Sequence, residues 1–178
     1  MSRQNPTVII ALGGNAISPK NETGDIHAQF AHTKESLDGI MYFVRERYNI
    51  CITHGNGPQV GAELLKNEIT RDKIPSLPLG ILVANTQGAI GYMVQQTLQN
   101  ALKKSDIDRE VVTFISQVKV DKNDPAIKDP KKFIGKTYQK DEAKKLSELY
   151  DWQMKEQENG IWRRVVSSPV PLYIFNGK

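Results

Sequence analysis

The stretch Thr7-Val8-Ile9-Ile10-Ala11-Leu12-Gly13-Gly14-Asn15-Ala16 decides the fold of this 178-residue chain. Residues 7–12 are a continuous β-branched and apolar run, the pattern of a strand buried on both faces of a parallel sheet. Two glycines stop it. The pattern then repeats: residues 49–53 read as a second short strand, followed by Thr53-His54-Gly55-Asn56-Gly57-Pro58-Gln59-Val60-Gly61. In an α/β sheet such strands end at a common edge, where bare backbone N–H groups and helix N-termini attract phosphate or carboxylate. Two glycine-rich turns of this kind predict one anion site.

Between the strands, Leu37, Ile40, Met41 and Val44 recur at helical spacing and predict an amphipathic helix over residues 29–47. Pro58 stands where a helix tolerates proline, in its first turn, so a second helix runs from there toward Ile69. This β-α-β-α order implies right-handed crossovers and a doubly wound, mainly parallel sheet flanked by helices. After the break at residues 74–78, Ile90, Val94, Leu98 and Leu102 form one stripe of a long helix. Gly88 and Gly91 inside it each cost about 1 kcal/mol against alanine, which close packing of a neighbour, or a ligand, would offset. Residues 111–120 read as a third strand. The domain reading is therefore an α/β core over 1–120, a lysine-rich excursion over 121–168, and a return to the core over 169–178. The excursion holds a short helix, 141–150, and a strand, 161–166.

Bulk properties narrow the function. Apolar content of 39% and charged content of 25% suit a soluble globular domain, and no apolar stretch approaches membrane-spanning length. Residues 8–12 are too short for a signal-peptide core, and a single cysteine, Cys51, forms no intrachain disulfide, so a cytoplasmic location is expected. The sequon at residues 21–23 is then idle. The net charge of +4 comes partly from the lysines of residues 119–145. Only Phe133 and Tyr138 stand among those charges to stack on bases, which argues against nucleic acid. Gly55 and Gly57 are followed by Gly61, one residue too many for a dinucleotide fingerprint. Neither turn continues into the Gly-Lys-Ser/Thr of a Walker loop. Cys51 and His54 lack a second pair of zinc ligands, so no metal site is expected.

Taken together, residues 8–17, residues 53–61 and Thr86-Gln87-Gly88-Ala89-Ile90-Gly91-Tyr92 resemble carbamate kinases of the amino acid kinase family, and the resemblance runs from about Pro6 to Pro171. It implies reversible phosphoryl transfer between ATP and carbamate, giving carbamoyl phosphate in arginine catabolism, and it implies a homodimer. Phosphoryl transfer needs fixed donors and positive charge aimed at the moving group more than it needs a nucleophile. Gly13 and Gly14 let backbone approach the phosphoryl, and Asn15 and Asn56 add amide donors. Gly55 and Gly57 hold the acceptor carboxylate or the product phosphate. His54 serves either packing or ligand contact.

Within Asp129-Pro130-Lys131-Lys132-Phe133-Ile134-Gly135, Lys132 takes the position of the family's protruding-loop lysine, whose implied role is to neutralise the phosphoryl or grip carbamate. The other reading of Lys132 is an ordinary exposed lysine. Phe133 replaces the usual proline and leaves the loop freer in φ. The match fades at residues 161–169. The family's nucleotide-binding half, with the residues for ATP and Mg2+, is expected to be absent. Three forms of the protein then stand open: the kinase, an inactive remnant or module that holds carbamoyl phosphate, and one half of a two-chain enzyme completed by a separate C-terminal half.

Overall fold

The computed structural model describes residues 5–18 and 25–175, apart from the side chain of Asn15, and the sequon at 21–23 lies outside them. Strand β1 (Thr7–Leu12), the one-turn helix α1 (Gly14–Ile17), helices α2 (Ile26–Asp38) and α3 (Ile40–Arg45) and strand β2 (Asn49–His54) come first. Helices α4 (Gly57–Thr70) and α5 (Leu79–Lys104) follow, then strand β3 (Gln117–Val120). Strand β4 (Lys132–Tyr138), helix α6 (Lys140–Tyr150) and strands β5 (Met154–Glu158), β6 (Ile161–Val166) and β7 (Pro171–Phe175) complete the order. The fold is α/β, and the chain divides into two compact units.

The first unit takes residues up to 56 together with 88–114. β1 and β2 pair in parallel, in register from Thr7 opposite Asn49 to Leu12 opposite His54. Alternation along these strands puts Ile10, Leu12, Ile50 and Ile52 on one face, against Leu37, Ile40, Met41 and Val44 of α2 and α3 and against the Ile90, Val94, Leu98 and Leu102 stripe of α5. Full burial of one such side chain stabilises by about 1.5–3 kcal/mol. The other face carries Thr7, Ile9, Ala11, Cys51 and Thr53, all exposed, so the two-sided burial expected of β1 is met on one side only. The helix expected over 29–47 is two helices. They part at Gly39, where the absent side chain lowers helix stability. The Asp25 carboxylate caps α2 by accepting from the Ala28 N–H at 3.3 Å.

The second unit takes 57–87 and the residues from 115 onward. β4, β6 and β5 form an antiparallel sheet in that order, and among the described residues the parallel pairing of the mainly parallel sheet is that of β1 with β2. Val60 and Leu64 of α4 pack with Ile134 of β4 and Leu82 from the first turns of α5. Tyr138, Ala143 and Trp152 form a smaller cluster beneath α6. β3 and β7 pair antiparallel as a separate two-stranded ribbon.

Only the end of the strand expected over 111–120 forms. In the first unit the Gln99 side chain accepts from the Val111 N–H at 3.1 Å and donates to the Arg109 carbonyl at 3.0 Å. In the second unit the Gln87 side chain accepts from the Ser116 N–H at 2.8 Å. These amides take the place of a strand partner. Among the described residues no helix is long and apolar enough to cross a membrane.

Candidate functional site

Leu12 and His54 are opposed at the ends of a parallel pair, so both glycine turns leave the sheet at its carboxyl edge, where ligands of α/β sheets bind. The Gly55 N–H donates to the Leu12 carbonyl at 3.1 Å, and a Cβ on Gly55 would stand 3.4 Å from the Gly14 nitrogen. The structure therefore brings Gly14 and Gly55 together. Because the Gly55 amide is engaged by Leu12, its contribution is the missing side chain that lets the second turn approach the first. In the first turn of α1 the Ala16 amide is taken by the Gly13 carbonyl, so the donors left at this rim are the amides of Gly14 and Asn15.

Gly13 precedes α1 with φ −64° and ψ 150°, an ordinary extended conformation, and accepts from the Ala16 N–H at 2.9 Å. Among the described residues, nothing beyond its chain neighbours lies within 4 Å of where its Cβ would stand. Neither backbone conformation nor packing within the described residues requires glycine there. Asn15 lies in α1, and its side chain is outside the described set. Asn56 is half-buried, and His54 places Nδ1 3.3 Å from the Gly55 carbonyl.

In the second unit, Gly57 and Pro58 open α4, a helix with no acidic residue in its first turn to offset its positive end. The position of a Gly57 Cβ is also open. Lys132 is the first residue of β4, opposite Val166 and exposed. The segment expected as a loop is a strand from this lysine on. Phe133 is paired with Val165 in the ladder, and its ring lies 6.0 Å from the Arg163 guanidinium, so the sheet holds what proline would otherwise have restrained. Asp129 receives Lys131 at 2.7 Å and Lys155 at 2.8 Å. Hydrogen bonds from Lys131 first and Lys155 second hold its carboxyl down at about 2, and Asp129 in turn raises the Lys131 ammonium. No ion pair involving Lys132 is found among the described residues, which leaves its ammonium available while its neighbours are clamped.

Gly61, read in the sequence as the end of the second turn, has a different use. It sits inside α4, and a Cβ there would overlap the Cα and N of Gly135 in β4. Gly135 has φ +71°, sits in the irregular stretch of β4 between Ile134 and Tyr138, and its carbonyl accepts from Arg163 at 2.7 Å. The helix and strand backbones touch here. A glycine in mid-helix was the available signal, but its partner, distant in sequence, could not be read from spacing.

Among the described residues no group of three His, Cys, Asp or Glu side chains is placed to hold a metal ion. No protein-family model matches the chain. It is similar to the carbamate kinase of Pyrococcus horikoshii, 43% identical over 166 residues, which make up 92% of this chain and 53% of that protein. A solved carbamate kinase from Giardia lamblia bound to citric acid superposes with a TM-score of 0.91 at 37% identity, over 96% of this chain and 55% of that one. The Giardia enzyme bound to AMP-PNP matches with a TM-score of 0.79 at 37% identity, over 96% of this chain and 54% of that one. The chain spans about half the length of the curated relatives it matches.

Proposed function

Because this chain belongs to the carbamate kinase family and matches the N-terminal part of its members, we propose that it supplies the acceptor and phosphoryl side of a reversible phosphotransfer in which ATP and carbamate give ADP and carbamoyl phosphate. The observation that carries the reading is the approach of Gly14 to Gly55 at the carboxyl edge of β1 and β2. A phosphoryl in transfer spreads charge over three oxygens, and the gain comes from donors already aimed at it. In this reading the backbone amides of Gly14 and Asn15 at the first glycine turn take that role. In the first unit the open space at Gly13 leaves room for backbone to meet an oxyanion, with Asn15 and Asn56 as further donors, and in the second unit the space at Gly57 is open in the same way. Lys132 takes the family's role of neutralising the phosphoryl, as a mobile point charge can.

ATP enters this reading as the family's phosphoryl donor, and the Giardia structure with AMP-PNP supports it for that protein. The described residues offer no metal cluster that fits Mg2+, so no step through the ion is derived. The reading extends, on the family's pattern, to a homodimer, to a cytoplasmic place in arginine catabolism, and to residues 121–168 acting as the protruding subdomain that carries Lys132.

Calorimetric titration with carbamoyl phosphate and, separately, with Mg-ATP tests the proposal. Carbamoyl phosphate should bind, and Lys132→Met should weaken it by about tenfold, the loss of one charge-assisted contact. Absence of carbamoyl phosphate binding would overturn the site, and unchanged affinity in Lys132→Met would remove the lysine from it. Tight Mg-ATP binding would place a nucleotide pocket in this half.

A further inference from the structure

With no ion pair to Lys132 among the described residues, its ammonium is placed by the backbone that carries it. Three residues along β4, that backbone is held in an unusual way. Gly135, at φ +71°, interrupts the pairing of β4 with β6 between Ile134 and Tyr138 and meets the backbone of Gly61 in α4. Irregularities of this kind re-aim a strand and are frequent beside functional sites. Arg163 of β6 holds the same stretch at two points. Its Nη2 donates to the Gly135 carbonyl at 2.7 Å, and its guanidinium lies 6.0 Å from the ring of Phe133, the residue next to Lys132.

The contacts also fix direction. Gly61 meets Gly135, whereas Leu65, one turn on, packs against the cluster of Tyr138, Ala143 and Trp152. α4 and β4 therefore run the same way, and Lys132 lies on the Gly57 side of the contact. Val166, opposite Lys132 in the ladder, agrees, since it packs against the cluster that holds Val60 and Leu64 of α4. At about 3.3 Å per strand residue Lys132 is about 10 Å back from Gly135, and at about 1.5 Å per helix residue Gly57 is about 6 Å back from Gly61. The lysine is thus carried to the level of the opening of α4, whose first turn holds no acid to capture it.

We infer that Gly61, Gly135 and Arg163 are positioning residues for Lys132: the two glycines let α4 and β4 touch, Arg163 holds the re-aimed strand, and together they set where the ammonium stands along α4. The inference rests on the proposed function for what the lysine does there. A contact that only supported the fold would change stability and leave the share of binding owed to Lys132 untouched.

The test reads place and binding separately in the full chain. Spin labels on Lys132→Cys and Ile69→Cys, exposed positions of β4 and α4, in a Cys51→Ser background give the distance between them by pulsed electron double resonance. Arg163→Met keeps the stem beside Phe133 and removes the donor. It should shift or broaden that distance by about 2 Å or more, beyond the misplacement of about 1 Å that matters to a reacting group, and Arg163→Lys, which can still donate, should restore it. With Lys132 in place, Arg163→Met should weaken carbamoyl phosphate binding by about fivefold in calorimetry; in a Lys132→Met background the same change should alter it by less than about twofold. Gly61→Ala, wherever circular dichroism shows it folded, should follow Arg163→Met. An unchanged distance in Arg163→Met overturns the inference. So does an affinity that fails to respond with Lys132 present, or that falls as far without Lys132 as with it. If the parent chain does not bind carbamoyl phosphate, the proposed function falls and the distance alone decides the positioning.

Discussion

The molecule uses the glycines of its two turns for opposite reasons. Gly61 is closed in, with the backbone of Gly135 occupying the place of its side chain. Gly13 and Gly57 are open: among the described residues, nothing beyond their own chain neighbourhood lies within 4 Å. A glycine kept where the protein leaves room has no reason in packing, whereas one that faces another backbone has no other reason. The comparison separates residues that build the fold from residues that are candidates for holding something absent from it.

The largest effect should come at the closed position. Gly61→Ala gains about 1 kcal/mol of helix propensity but must part α4 from β4, and a net loss of about 3 kcal/mol or more is expected in denaturant unfolding. Full stability in that variant would break the comparison outright. An intermediate case sharpens it. A Cβ on Gly91 would overlap Cγ2 of Thr113, whose hydroxyl donates to the Gly91 carbonyl at 3.1 Å. Gly91→Ala should therefore cost about 1–2 kcal/mol, and Thr113→Ser, which removes the methyl and keeps the hydroxyl, should restore at least half of that in a double-mutant cycle. No such partner exists to trim for Gly61. The smallest effect on stability belongs to Gly13→Ala, within about 1 kcal/mol of the parent, while its carbamoyl phosphate affinity falls by about tenfold or more if the open space is ligand space. Equal affinity would strip Gly13 of its role.

Much of the fold could be read from local pattern. β1 and β6 stand where alternation or apolar runs put them, α4 and α6 differ from their expected spans by a residue or so, and the four stripe residues of α5 are buried. β5 could not be read, because Met-Lys-Glu-Gln-Glu has no strand period and is a strand only because β6 pairs with it. β4 was hidden by the same cause, with its regular pattern broken at Gly135. At the candidate site, the meeting of Gly14 with Gly55 was legible because parallel strands bring their following turns to one edge. That the Gly55 amide is engaged by Leu12 was not, since it depends on the register of two strands. Nor was the Asp129 clamp on Lys131 and Lys155, which joins residues 26 apart in the chain.

Gln87 and Gln99 have a protective consequence. Residues 111–116 have the composition of a strand, and a free segment of that kind is a template on which another chain can add. By occupying the amides of Val111 and Ser116, the two helix side chains satisfy part of that hydrogen-bonding capacity from within, so less of the stretch is left open as a template.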